Sequence, residues 1–162
     1  MPALKYWDGT AWQYLTGGGV GQPTRVGCEV YQSVAQSLTQ NTWTALSWNI
    51  AISDSGGFFP GSNNNYVRIP LGQSGVYALN TYLYAGNLGA NCQLGFWRNA
   101  GGVIYRKAIT PNMDSLTWVG WLNEYDYVQV VIYCPNAGIS TTIESVGANN
   151  PYAPLFNVFK VS

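Results

Sequence analysis

Apolar side chains in this sequence recur with a period of two, and the 3.6-residue period of a helix is absent. Across residues 126–133, Val128, Val130 and Ile132 share one face of an extended strand. Tyr127, Gln129, Val131 and Tyr133 occupy the opposite face. Residues 76–84 make a second long strand with substantial side chains on both faces, and residues 155–161 a third alternating stretch. Asn99-Ala100-Gly101-Gly102 joins 94–98 to 103–107 as a hairpin. Residues 54–57 and 61–65 are turn-rich. Short strands at such regular spacing predict an all-β sandwich or jelly roll. A monomeric sandwich keeps its outer faces polar, whereas several strands here carry Tyr, Val or Leu on the second face as well. A surface that apolar predicts a partner.

Composition argues for assembly over catalysis. Charged residues are 9% of the chain, against roughly a quarter in an ordinary domain. Aromatic residues reach 15%, with twelve Tyr and seven Trp, side chains enriched where protein meets protein. The 162 residues hold no histidine. That removes the ordinary Ser-His-Asp and Cys-His arrangements and any His-containing metal site. No enzymatic activity, catalytic residue, metal site or cofactor is expected. Glu124 and Asp126 are the one carboxylate pair spaced for glycoside cleavage, and they read better as solvated turn charges. Gly17-Gly18-Gly19 lacks the Lys-Ser/Thr of a phosphate loop.

The formal net charge is zero, so no global field draws in nucleic acid or anionic lipid. Arg68, Arg98, Arg106 and Lys107 make no polyanion site, because the one adjacent pair points to opposite faces of a strand. No stretch approaches the roughly 20 apolar residues of a membrane span. Neither nucleic acid nor membrane is an expected partner. Cys28, Cys92 and Cys134 lie far apart and read as three small buried hydrophobes, with no disulfide framework. Trp43 and Trp118 read as core residues, although exposed Trp and Tyr also stack on sugar rings.

The run Thr16-Gly17-Gly18-Gly19-Val20-Gly21-Gln22-Pro23 breaks the composition. It divides the chain into an N-terminal segment, 1–16, a glycine-rich linker, 17–23, and a body, 24–162. The first five residues lack the apolar core of a signal peptide, so synthesis and folding in a cytoplasm are expected.

Within the body, Cys28-Glu29-Val30-Tyr31-Gln32, then Trp43-Thr44-Ala45-Leu46-Ser47-Trp48-Asn49 with Asp54 and Gly57-Phe58-Phe59, look like the first strands of a known family. Tyr66-Val67-Arg68-Ile69-Pro70 followed by Gly75-Val76-Tyr77 fits its segment of proline and Gly-x-Tyr. Leu122-Asn123-Glu124-Tyr125-Asp126-Tyr127-Val128 fits the loop into its penultimate strand, and Phe156-Asn157-Val158-Phe159-Lys160-Val161 its closing strand. Together these resemble the complement globular-head and tumour-necrosis-factor-like jelly-roll family. Where that family has Gly-Asp, this chain has Tyr125-Asp126, a departure that bears on the loop's conformation and on any family calcium site. The resemblance implies a ten-stranded jelly roll that packs as a homotrimer. Tyr127, Gln129, Val131 and Tyr133 are the expected trimer interface.

Leu4-Lys5-Tyr6-Trp7-Asp8-Gly9-Thr10-Ala11-Trp12 resembles the start of small structural proteins of tailed bacteriophages. Asp8-Gly9 is a favoured turn between Tyr6-Trp7 and Ala11-Trp12, which predicts a small aromatic hairpin. Such a hairpin is marginal alone in water and needs something to pack on. Lys5, Tyr6, Trp7, Asp8, Gly9 and Trp12 are therefore the expected virion-anchoring residues. The leading expectation is a non-enzymatic virion protein, a trimeric capsid decoration or head-fibre protein on the particle surface, contacting capsid or tail subunits. The alternatives are a tail-tip receptor-binding adhesin for host surface glycan, and a soluble trimeric lectin-like protein.

Overall fold

The computed structural model describes residues 5–7, 12–14, 26–61, 64–85, 91–99, 101–109, 112–135, 142–143 and 154–161. Their strands in chain order are β1 (Lys5–Trp7), β2 (Trp12–Tyr14), β3 (Gly27–Tyr31), β4 (Gln36–Ser37), β5 (Trp43–Ala45), β6 (Ile50–Asp54) and β7 (Val67–Arg68). There follow β8 (Gly75–Ala85), β9 (Gln93–Arg98), β10 (Val103–Ala108), β11 (Asn112–Leu122), β12 (Tyr127–Tyr133), β13 (Thr142–Ile143) and β14 (Leu155–Lys160). Among the described residues there is no helix.

Two five-stranded sheets carry the fold. One runs β10-β9-β12-β5, with β7 also paired to β12, and the other runs β11-β8-β14-β3-β6. Two further antiparallel pairs, β1-β2 and β4-β13, form two-stranded sheets of their own. Period-two alternation sends Leu94, Phe96, Val128, Val130 and Ile132 of the first sheet into the core. Cys28, Val30, Tyr77, Leu79, Leu83, Leu116, Leu122, Phe156 and Val158 answer from the second. Phe96 stacks on Phe156 across the layers with ring centroids 5.8 Å apart, and Trp48 meets Phe156 at 5.7 Å.

Loops add the remaining core. The Asp54 carboxylate accepts backbone N–H bonds from Gly57 (3.0 Å), Phe58 (2.9 Å) and Phe59 (3.1 Å), which holds the turn that drops Phe58 into the interior. Phe58 there meets the Tyr77 ring edge-on at 6.1 Å. On β11, Gly120 leaves the space taken by the Trp118 indole, which a Cβ at 120 would overlap.

The strands expected over 76–84, 126–133 and 155–161 and the hairpin joining 94–98 to 103–107 are present as β8, β12, β14 and β9-β10. The cysteines require a correction. Cys92 and Cys134 form a disulfide, and Cys28 alone is a buried free thiol. Their separation of 42 residues hid the reason. Antiparallel pairing of β9 with β12 sets Gln93 opposite Tyr133, so the residue before one strand faces the residue after the other. The pairing of β1 with β2 sets Trp7 opposite Trp12. The Asp8-Gly9 turn between them and the glycine-rich run 17–23 lie outside the described residues.

Candidate interaction surfaces

The outer face of β12 is covered within the chain itself. Val131 is fully buried and Gln129 is 8% exposed, with Tyr127 and Tyr133 half-buried. Strand pairing explains the cover: Gln129 lies opposite Trp97, Val131 opposite Gly95 and Ala45, and Tyr133 opposite Trp43. The rings close over that face, with Trp43 centred 6.0 Å from Trp97 and 5.4 Å from Tyr133. Trp43 is thus an outer-face residue and not part of the core, while the half-buried Trp118 packs against the core. Of the four residues expected at an interface, Gln129 and Val131 are thus buried by the chain itself, while Tyr127 and Tyr133 are only half-buried. Two tryptophans distant in sequence supply most of the apolar neighbours that period two alone left unassigned.

The second sheet presents the opposite picture. On β11, the side chains alternating with Leu116 and Leu122 point outward, and Val119 is 59% and Trp121 57% exposed. Register extends that apolar area inward, since Trp121 lies opposite Val76, and Val119 opposite Ala78 and then Phe159. The next row is polar and runs Thr117, Asn80, Asn157, Glu29 across four strands. Asn80 Nδ2 donates to Thr117 Oγ1 at 2.8 Å. Asn157 Oδ1 is buried and has no hydrogen-bond partner among the described residues. In these three rows Glu29 is the single charged side chain.

A third surface forms where β7 meets β12. Val67 and Val128 are paired and turn inward, so Tyr66, Arg68 and Tyr127 turn outward, with Arg68 directly opposite Tyr127. Tyr66 and Tyr127 lie 5.3 Å apart, centroid to centroid. Tyr125 joins them from the preceding turn at φ 67°, the left-handed conformation that the family's glycine would take. The turn is pinned at several points. Tyr125 N–H donates to Ile69 O (2.8 Å), Ile69 N–H to Asp126 O (2.7 Å) and Glu124 N–H to Ser74 Oγ (2.8 Å). The Arg68 guanidinium rests 4.9 Å from the centre of the Tyr125 ring. The four side chains line an open cup of about 340 Å³.

The two carboxylates weighed for chemistry hold this same turn. Glu124 Oε2 accepts from Gly72 N–H at 2.8 Å. Asp126 Oδ2 accepts from Asn123 N–H at 2.8 Å and faces Arg98 at 3.9 Å, while Oδ1 accepts from Asn99 Nδ2. Each is bound to a different part of the loop. Lys107 pairs with Asp114 across from β10 to β11. No three His, Cys, Asp or Glu side chains come together among the described residues. Sequence spacing marks Arg68 only as an isolated cation and does not mark Tyr66, Val119 or Trp121 as site residues. The available signal was Tyr125 itself, a bulky residue where the resembled family keeps glycine.

The fold is similar to that of murine APRIL crystallised at pH 5.0, with a TM-score of 0.59 and 16% identity over 85% of this chain and 99% of that one. Murine APRIL at pH 8.5 gives 0.61 and 15% over 83% and 98%. The globular domain of zebrafish complement 1qA protein gives 0.58 and 15% over 85% and 98%. The likeness shows a jelly-roll fold similar to that of these tumour-necrosis-factor-like and complement-head proteins. No protein-family model matches the sequence, and no curated protein sequence matches it.

Proposed function

We propose that this chain is a non-enzymatic assembly subunit, a homotrimer packed through the outer face of the β11-β8-β14-β3-β6 sheet. The observation that carries this is the exposed apolar area around Val119 and Trp121, continuous with Val76 and Ala78 by register. That face is nearly uncharged, so copies of it meet without like-charge repulsion, and burial of its apolar surface favours association. Three-fold order is taken from the resemblance to the complement-head and tumour-necrosis-factor-like family.

The setting we propose is a bacteriophage particle, with the β1-β2 hairpin as the anchor on a capsid or tail subunit. It rests on the N-terminal resemblance, and the animal proteins of similar fold contribute nothing toward it. The Cys92–Cys134 disulfide favours a surface outside a reducing compartment, virion surfaces included. Sedimentation equilibrium at micromolar concentration is expected to give the mass of three chains, both for the whole protein and after deletion of residues 1–16. The shortened trimer is expected to lose capture on purified particles. A whole protein that sediments as one chain overturns the assembly reading.

A further inference from the structure

We infer that the cup formed by Tyr66, Arg68, Tyr125 and Tyr127 is a binding site for an acidic sugar, a pyranose ring carrying a carboxylate. The inference is independent of the assembly face, which belongs to the other sheet. Four observations converge on it.

First, the walls are aromatic. Tyr66 and Tyr127 are tilted at 55° to each other and Tyr125 lines the same cup, so aromatic surface is offered to the C–H surface of a sugar. Second, the lining holds a cation that lacks a carboxylate. Arg68 is exposed and makes no ion pair among the described residues, where the ion pairs are Arg98 with Asp126 and Lys107 with Asp114. Stacking on Tyr125 occupies one face of the guanidinium and leaves its edge N–H donors free for a bidentate carboxylate. Third, the volume of about 340 Å³ falls at the lower end of small-molecule sites, which run from roughly 300 to 1,000 Å³. Fourth, the Tyr125 backbone is held at φ 67°, a left-handed conformation that a bulky non-glycine residue rarely adopts. Glycine would fill that position without cost. The tyrosine brings a ring to the cup, and strain of this kind persists at sites where the surroundings enforce it.

The test titrates the full-length protein with methyl galacturonide and methyl N-acetylneuraminide, followed by saturation-transfer NMR and calorimetry. Methyl galactoside supplies a ring without the carboxylate, and acetate the carboxylate without a ring. One or both acidic sugars are expected to bind saturably, with the galactoside and acetate weaker by about tenfold or more, as expected for a charge-assisted contact. Arg68→Gln and Tyr66→Ala, each shown by thermal unfolding to be folded, are expected to lose binding to the same degree. Absence of saturable binding by either acidic sugar overturns the proposal. So does binding of galactoside or acetate as strong as that of the acidic sugars, or binding that survives Arg68→Gln unchanged.

Discussion

Cys28 and Tyr77 sit fully buried in the core, and both carry an acidic proton that the interior holds in place. Burial pushes the Cys28 thiol far above the ordinary thiol range, with the nearby Asp54 and Glu29 carboxylates adding to the effect. A thiol held neutral is a poor nucleophile. Native protein is therefore expected to expose no titratable thiol to an aromatic disulfide reagent. Denatured, unreduced protein should titrate one, because the other two cysteines are paired; three would contradict the Cys92–Cys134 bond. Tyr77 is pushed up to about 12 from 10.0 by burial, and its hydroxyl donates to Gln73 O at 2.5 Å. The folded state thus keeps a proton that the unfolded chain releases near pH 10. Stability from this group is complete below pH 10.0 and declines as the pH rises toward about 12. Denaturant midpoints measured across that window are expected to fall for the wild type, and to fall less steeply for Tyr77→Phe.

At the scale of strands, legibility in the sequence followed the contrast between faces. β8, β12, β14 and the β9-β10 hairpin alternate cleanly or end at clear turn residues, and period two found them. β11 escaped notice although it spans 11 residues. Its outward Val119 and Trp121 are as apolar as its inward Leu116 and Trp118, so the alternation cancels by hydropathy. The face of β12 failed for the complementary reason. Its apolar outer side chains were visible, but their cover comes from Trp43 and Trp97 on strands paired with it from elsewhere in the chain. The disulfide and the tyrosine cup share that origin, because each joins residues that only the antiparallel partners of β12 bring together. Periodicity reports a residue's side of its own strand and is silent on what crosses from the next one.

For the whole molecule, Trp43, Trp97 and Tyr133 close over Gln129 and Val131 on the outer face of β12, whereas the other sheet leaves Val119 and Trp121 open. In the assembly we propose, this asymmetry favours β11 and its neighbours over β12 as the contact surface. Two substitutions of the same chemistry separate the two faces. Val131→Asp buries an unpaired carboxylate within the chain and is expected to cost about 3–5 kcal/mol, enough to unfold a marginally stable domain. Val119→Asp adds a charge to a position 59% exposed in the single chain, so the fold is expected to tolerate it and the proposed interface is not. Sedimentation velocity combined with circular dichroism on the two variants is the most direct measurement. The account predicts a folded single chain for Val119→Asp and an unfolded or aggregated Val131→Asp. A Val119→Asp protein that still sediments as a trimer, or a Val131→Asp protein that is folded and monomeric, would contradict it.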